Sequence, residues 1–297
     1  MMYAMELRLL RSFVVVADEL NVGRAATRLH LTQPSLSRQI AALEHDLGVE
    51  LFARVKKRFV LTAAGESFLV DARQLLERAD EAVRDAQRVH RGELGTLRLR
   101  FVQSATFEVL PRLLGAFRAA NPDVVLDLET MTTIRQTEAL REGRIDVGLF
   151  RLGVARGLET RVISRDPLVA ALPTVHRLAR RKRISLADLA EDPFVLYTRA
   201  TGPTVFDTIV GHCRAAGFEP EVTQEAADVQ TIVSLVAAGL GVSLLVAPTP
   251  RIDPEAVVYR ELSDDLPPWE LSVAWSPENR SPVLARFLDL VRGPETR

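Results

Sequence analysis

The sequence has a single cysteine, Cys213, among its 297 residues. This excludes an intrachain disulfide and any metal site built from several cysteines. A lone thiol is typical of a small core residue in a reducing compartment. A redox-sensing role would need a second cysteine to resolve the oxidised thiol, and the sequence offers none.

Long apolar runs and excess charge are also missing. No stretch approaches the length of a transmembrane helix, and the N-terminus has no basic segment followed by an uninterrupted apolar run. We therefore expect a cytoplasmic protein with no membrane partner. Because the net charge is only −1, any nucleic-acid contact must come from a local patch. Residues 1–65 contain nine Lys or Arg against six Asp or Glu, so such a patch is expected there.

Signatures of catalysis are equally absent. The sequence has no nucleophile motif such as G-x-S-x-G and no metal-ligand spacing. We expect no catalytic residue, no metal and no cofactor. The histidines are scattered along the chain, at His30, His45, His90, His176 and His212.

What the sequence does contain is a pair of short helical patterns within residues 22–48. The first has small residues, Ala25 and Ala26, that let a second helix cross closely. The second is predicted between an N-cap at Thr32 and a terminating Gly48. Its inward positions repeat at helical spacing: Leu36, Ile40, Leu43 and Leu47. A helix that packs behind this pair is predicted over residues 6–19. The pattern indicates a helix-turn-helix.

Donor-rich side chains at the start of the second helix suit the major groove of double-stranded DNA. The candidates are Gln33, Pro34, Ser35, Ser37 and Arg38. Residues 49–65 predict a two-stranded wing whose cations would contact phosphates. These cations are Arg54, Lys56, Lys57 and Arg58. The alternatives are an amphipathic helix pair with a solvated polar face and an ordinary hairpin tip.

Residues 66–91 contain neither Gly nor Pro and carry a heptad pattern. Its apolar positions are Phe68, Ala72, Leu75, Ala79, Ala82, Ala86 and Val89. The pattern predicts a long linker helix that pairs with its copy in a second subunit. Packing of this helix against its own chain is the alternative. Gly92 and Gly95 mark the end of the helix.

Beyond Gly95, strands alternate with helices, which predicts parallel sheets in an α/β unit with two lobes and a cleft between them. The boundaries that we predict are 1–61 for an α winged helix-turn-helix, 62–92 for the linker helix and 93–297 for a ligand-binding domain. Lobe I would comprise about 93–163 and 268–297, and lobe II about 164–267. Strands are predicted at 96–102, 124–130, 145–150, 167–173, 194–197, 222–226, 242–246 and 271–275, and helices at 109–120, 135–142, 185–190, 204–216, 229–239 and 282–292.

The chain resembles LysR-type transcriptional regulators over almost its full length. The resemblance is most specific at AATRLHLTQPSLSRQIAALEHDLGVELFAR, LTAAG, EGRIDVGL and VAAGLGVSLL. Its C-terminal portion is similar to regulators of benzoate, catechol and chlorocatechol breakdown, which respond to muconate-type dicarboxylates and in some cases to benzoate. The resemblance implies a winged helix-turn-helix, a linker-helix dimer, a periplasmic-binding-like effector domain and usually a tetramer. It also implies contact with RNA polymerase.

Carried over position by position, the resemblance assigns DNA contacts to Gln33, Pro34, Ser37 and Arg38 and a wing contact to Arg54. It places an effector, expected to be a small carboxylate, against Ser104, Thr133, Pro203, Thr204, Val205 and Val229. Two departures change the expected pocket. Val205 stands where muconate-binding members carry an aromatic residue, and Thr132 replaces a more usual glycine.

Other interpretations compete with an effector-controlled transcription factor. Ser104, Thr133 and Thr204 follow predicted strands and could be ordinary helix caps. The two-lobed unit could belong to a cytoplasmic small-molecule-binding protein whose N-terminal helices serve only for assembly. A LysR-type regulator that senses an unrelated metabolite is a further alternative, and an enzyme is a third class.

Overall fold

The N-terminal helices pack around one apolar core in the computed structural model, which describes residues 5–55, 58–151, 157–247 and 255–291. The chain divides into two compact units, Met1–Arg88 and Val89–Arg297, and each is considered by itself. Among the described residues, no helix combines the length and the apolar character needed to cross a membrane.

The first unit begins with three helices, α1 (Leu7–Glu19), α2 (Val22–Arg28) and α3 (Gln33–Leu47). A hairpin of β1 (Phe52–Val55) and β2 (Arg58–Leu61) follows, with Phe52 opposite Leu61. Side chains from the three helices and the hairpin form a single core. Along the helices, the apolar residues that enter this core recur at helical spacing. The fully buried members of this core include Phe13, Ala25, Leu36, Leu43 and Leu51. The predicted winged helix-turn-helix is therefore confirmed.

Helix α4 (Ala63–His90) is the long linker helix. Near its start, Phe68, Ala72 and Leu76 pack against the core of the first unit. Further along, Leu75, Ala82, Ala86 and Val89 are exposed. The predicted heptad positions thus divide into two groups. Phe68 and Ala72 pack against their own chain, as the alternative interpretation predicted. Most of the later positions form an exposed apolar stripe.

The second unit alternates strands and helices. In chain order its elements are β3 (Gly95–Phe101), the 3-10 helix η1 (Gln103–Phe107), α5 (Val109–Ala120), β4 (Val124–Thr130), α6 (Thr133–Arg141), β5 (Val147–Arg151), β6 (Glu159–Asp166), β7 (Leu168–Pro173), β8 (Arg183–Ile184), the 3-10 helix η2 (Leu186–Leu189), β9 (Pro193–Tyr197), α7 (Pro203–Ala215), β10 (Glu221–Ala226), α8 (Val229–Ala237), β11 (Ser243–Val246), β12 (Val257–Leu262), β13 (Trp269–Trp275) and α9 (Pro282–Val291).

These elements form two lobes. Lobe I has a five-stranded sheet in the order β4-β3-β5-β13-β6, with η1, α5, α6 and α9. Lobe II has a four-stranded sheet in the order β11-β7-β12-β8 and a parallel pair of β10 and β9, with η2, α7 and α8. Each lobe buries its own apolar clusters. The predicted two-lobed α/β domain is confirmed.

The expectation of parallel sheets is wrong in part. Strand β3 pairs in parallel with β4 and β5, but β13 is antiparallel to both β5 and β6. In lobe II, β7 is antiparallel to β11 and to β12. The antiparallel strands arise because β6 and β13 run between the lobes in opposite directions. Pro167 alone separates β6 from β7, so one lobe passes directly into the other.

Candidate functional site

The start of α3 presents polar side chains on its outer face. The Thr32 hydroxyl accepts a hydrogen bond from the Ser35 backbone N–H at 3.4 Å and caps the helix as predicted. Pro34 fits the first turn, where its missing N–H costs no intrahelical bond. Gly48 ends α3 in the left-handed region with φ 70°. This frame fixes which positions of the helix face solvent.

Four of the five predicted residues on α3, Gln33, Pro34, Ser37 and Arg38, are exposed, and Ser35 is half-buried. Gln39 lies next to this group in sequence but turns inward, where its Oε1 accepts a hydrogen bond from the Ser12 hydroxyl at 2.5 Å. Gln33, Ser37 and Arg38 can donate to base edges and phosphates without leaving a buried partner unpaired.

The wing is fixed to α3 by a residue that sequence reasoning missed. Glu44 Oε1 accepts hydrogen bonds from the backbone N–H groups of Leu51 and Phe52, at 2.8 and 3.1 Å. Phe52 also stacks on Phe59 across the hairpin, with ring centroids 4.6 Å apart. The signal in the sequence was a carboxylate at the inward edge of the second helix, close to the predicted strand.

The predicted wing cations are described only in part. Arg54 is exposed on β1. Lys56 and Lys57 lie outside the described residues, and for Arg58 only the backbone position at the start of β2 is described. The Arg54 side chain is therefore accessible on the hairpin for the phosphate contact that the sequence predicts.

A cavity of about 650 Å³ lies between the two lobes of the second unit. Its walls contain five of the six predicted effector residues, namely Ser104, Thr133, Pro203, Thr204 and Val205. Val229 does not line it. That side chain is buried in an apolar cluster of lobe II, because the inward face of α8 turns away from the cavity at this position.

Ser104, Thr133 and Thr204 do not cap helices, so the interpretation of them as ordinary caps is wrong. The N-cap positions of η1, α6 and α7 are Val102, Thr132 and Gly202, and no side chain caps any of the three. Among the described residues, the first-turn N–H groups of α6 and α7 therefore have no side-chain acceptor at the cavity. Such groups, together with the positive end of the helix dipole, favour an anion.

Arg151 is a cavity residue that sequence reasoning missed. Its guanidinium is buried at the end of β5, where Nε donates to Ser104 Oγ at 3.0 Å and Nη1 donates to the Trp269 carbonyl at 3.0 Å. Nη2 donates to Asp166, whose other carboxylate oxygen accepts from the Ser164 hydroxyl at 2.8 Å. Asp166 ends β6 and Trp269 begins β13, so one arginine joins both strands that run between the lobes.

Tyr197 adds a neutral donor to the cavity wall. Burial raises the pKa of its hydroxyl above the usual value, and the Asp228 carboxylate acts in the same direction, whereas Arg151 opposes them. The phenol therefore keeps its proton at neutral pH and can donate to an acceptor. The remaining wall mixes apolar groups such as Met131 and Leu245 with polar ones.

Redox and metal chemistry have little support at the described positions. Burial raises the pKa of the Cys213 thiol to about 12, so the reactive thiolate is scarce at neutral pH. Within residues 5–55, 58–151, 157–247 and 255–291, no three or more His, Cys, Asp or Glu side chains are grouped so that they could bind a metal ion.

Known families cover both units. The family described as LysR substrate binding domain matches residues 90–293, and the family described as bacterial regulatory helix-turn-helix protein, lysR family, matches residues 7–66. The chain belongs to the LysR family of DNA-binding transcriptional regulators. The interpretation as a binding protein without a DNA-binding role is therefore wrong.

Similar LysR proteins match over nearly the whole chain. The uncharacterized HTH-type transcriptional regulator YnfL of Escherichia coli (strain K12) is 41% identical over 95% of this chain and 95% of its own length. The crystal structure of full-length CbnR complexed with its target DNA has a TM-score of 0.86 and 33% identity, and covers 97% of this chain and 99% of that chain.

A solved LysR effector domain is also similar. The BenM effector binding domain with its effector benzoate has a TM-score of 0.61 and 31% identity, and covers 67% of this chain and 90% of that chain. The resemblance to the branch of LysR regulators of aromatic and chlorocatechol breakdown that the sequence indicated is confirmed.

Proposed function

We propose that this LysR regulator is controlled by a small carboxylate, an aromatic acid or a muconate-like acid, bound in the cavity between its lobes. The observation that carries the proposal is the pair of uncapped helix ends, at α6 and α7, on the cavity wall. A carboxylate accepts hydrogen bonds from first-turn N–H groups and is stabilised by the positive end of each helix dipole.

The rest of the wall suits an acid with an apolar body. The volume of about 650 Å³ is within the range of roughly 300–1,000 Å³ that small-ligand pockets occupy. Met131, Val205 and Leu245 offer apolar contacts, while the hydroxyls of Ser104 and Thr133 lie on the lobe I side. The similarity to a benzoate-binding effector domain supports the same class of ligand.

Binding would regulate DNA contact through subunit geometry. A ligand shifts the equilibrium between two lobe arrangements only if it binds one of them more tightly. We propose that α4 pairs two subunits and that a tetramer presents two such pairs to an operator. We also propose that the bound tetramer contacts RNA polymerase. On each DNA-binding unit, Gln33, Ser37 and Arg38 would contact bases, and Arg54 with Lys56, Lys57 and Arg58 would contact phosphates.

The test is a comparison of charged and neutral ligands of one shape. The full chain is titrated with benzoate, cis,cis-muconate and benzamide, and binding is followed by thermal shift and calorimetry. We expect the two acids to bind and benzamide to bind at least tenfold more weakly, because it lacks the charge that the helix ends stabilise. Equal binding of benzamide and benzoate, or no binding of either acid, would favour an unrelated metabolite.

Two variants locate the site. Ser104→Ala and Thr133→Val should each weaken acid binding about three- to tenfold, because each removes a hydroxyl from the cavity wall. Footprinting of the promoter beside the gene should still show operator binding by both variants. An unchanged dose response in both would place the effector elsewhere.

A further inference from the structure

The short helix η1 contacts both lobes of the second unit. It follows β3 in lobe I, yet its two end residues reach lobe II. Ser104 lies between them and faces the cavity. A change in the orientation of one lobe relative to the other must therefore act on η1. This helix also carries Ser104, a predicted effector contact.

On the lobe I side, η1 is held by its neighbours in the sheet and core. The Val102 N–H, just before η1, donates to the Leu149 carbonyl of β5 at 2.9 Å. Ala105 is fully buried in the main apolar cluster of lobe I. Ser104 Oγ accepts the hydrogen bond from Arg151. These three contacts fix the backbone of η1 relative to β5.

On the lobe II side, Gln103 and Phe107 make the contacts. Gln103 Oε1 accepts a hydrogen bond from the backbone N–H of Val229, the first residue of α8, at 3.1 Å. Phe107 packs against the lobe II cluster formed by α8 and the surrounding strands, which includes Ile232 and Val236. One residue therefore contributes a directional bond, and the other contributes apolar contact.

Two first-turn N–H groups of α8 have side-chain acceptors. Asp228 Oδ1 accepts from the Thr231 N–H at 2.9 Å, and Gln103 takes the Val229 N–H. In contrast, α6 and α7 have no side-chain cap. An anion in the cavity consequently finds free first-turn donors at α6 and α7 and meets the Asp228 carboxylate at α8.

We infer that Gln103 is a positioning residue for the effector response, because it latches η1 to the first turn of α8 and so sets the position of Ser104 and the separation of the lobes together. As a link between cavity and lobe orientation, the latch rests on the proposed function. As a contact between lobes, it stands on the hydrogen bond and the Phe107 packing alone.

Hydrogen exchange on the full chain without ligand tests the latch directly. Gln103→Leu keeps the approximate size of the side chain and removes the acceptor. We expect the peptide covering residues 228–237 to exchange about fivefold faster, the effect of one lost hydrogen bond, while peptides from α7 and β7 are unchanged. Unchanged exchange at 228–237, or an equal rise throughout lobe II, would overturn the inference.

Two further variants separate the latch from a general packing effect. Gln103→Glu keeps an oxygen acceptor that can reach the Val229 N–H, so exchange should stay slower than in Gln103→Leu even with the Asp228 carboxylate nearby. Gln230→Leu makes the same chemical change at an exposed position one residue into α8 and should have no effect. Faster exchange in Gln230→Leu, or no rescue by Gln103→Glu, would contradict the role of the acceptor.

The effector arm uses benzoate and cis,cis-muconate as probes. Gln103→Leu should raise the half-maximal concentration for the thermal shift about three- to tenfold, because an unlatched η1 must be ordered when Ser104 engages the ligand. Gln103→Glu is left out of this arm, because Gln103 lines the cavity and a carboxylate there would repel the acids. If the wild type responds and Gln103→Leu matches it, the coupling is wrong. If the wild type responds to neither acid, the proposed carboxylate function fails, and the exchange experiment still decides the latch.

Discussion

Two arginines show how burial changes the role of a single residue in this chain. Arg38 is exposed, and among the described residues it has no carboxylate partner; its Nε makes one long bond, 3.4 Å, to the Pro34 carbonyl. Its charge is free for phosphates or base edges. Arg151 is buried, and its guanidinium donates to Ser104, the Trp269 carbonyl and Asp166. Its charge is used for hydrogen bonds within the protein.

Arg38→Ala should lower affinity for the operator about 10- to 100-fold, because a bidentate base contact contributes roughly 1–3 kcal/mol. Fluorescence anisotropy with a footprinted promoter fragment measures this loss. The thermal shift caused by benzoate should be retained, since the cavity lies in the second unit.

Arg8→Ala provides the matched control. It removes an exposed arginine of α1 that pairs with Glu6 at 3.1 Å, and it should leave operator affinity within twofold. Loss of both DNA binding and the ligand-induced shift in Arg38→Ala would indicate misfolding rather than a lost contact.

Single residues also show where prediction from sequence stops. The exposed end of α3 was predictable because helical spacing separates inward from outward positions. Arg151 was not, because a lone arginine after an apolar strand does not reveal that Asp166, 15 residues further along the chain, pairs with it. Gln103 was missed for the same reason, since its partner Val229 is distant in sequence. Val229 was wrongly expected to face the cavity, because the sequence did not show which side of α8 packs against the core of lobe II.

At the scale of elements, the start of α4 meets the wing at Gly65. A Cβ at this position would lie 2.1 Å from the Leu51 carbonyl oxygen and 2.9 Å from Leu61 Cδ2. The same carbonyl accepts a hydrogen bond from the Thr62 N–H at 3.0 Å. The close approach fixes the angle at which the linker helix leaves the hairpin, and it explains a glycine inside a helix that otherwise lacks one.

Gly65→Ala should destabilise the first unit by about 1–3 kcal/mol, because the hairpin backbone must move away from the new methyl group. Denaturant unfolding of the full chain, followed by the circular dichroism of its helices, measures the change. Gly115→Ala is the control, since an added Cβ in α5 meets nothing within 4 Å. That substitution should be neutral or stabilise by up to about 1 kcal/mol. Equal stability of both variants would contradict the close approach.

Elements with regular patterns were predictable, and those without were not. Residues 109–120 and 124–130 fall where their spacing indicated. In contrast, β6 (Glu159–Asp166) carries charged residues at both ends and no strict alternation, so its sequence did not indicate a strand. The antiparallel pairing of β13 was also hidden, because strand direction depends on the crossing between lobes rather than on local composition.

At the scale of the whole molecule, the later part of α4 leaves an apolar stripe uncovered in a single chain. Leu75 and Val89 are exposed, with the small residues Ala82 and Ala86 between them. Small side chains allow close approach of a second helix, and the spacing is that of a two-stranded seam. The stripe therefore supports the pairing of two subunits through this helix.

Ala82→Glu should weaken self-association at least about tenfold, because it buries a charge in the apolar seam that we propose. Sedimentation velocity over a range of concentrations measures the effect. Gln87→Glu adds the same charge at an exposed position on the opposite side of α4 and should leave association unchanged. Association that is unaffected by Ala82→Glu would mean that subunits meet through another surface.

The division of the cavity wall has a consequence for signalling fidelity. In the proposed function, helix ends recognise the carboxylate that all candidate acids share, so discrimination among these acids falls to apolar side chains such as Val205 and Met131. An apolar pocket distinguishes ligands that differ by one methylene by only about 1–3 kcal/mol. Cells that contain several related acids would therefore see a graded output from this regulator. Its response range could drift through substitutions at those apolar positions, with the anchoring of the acid group left intact.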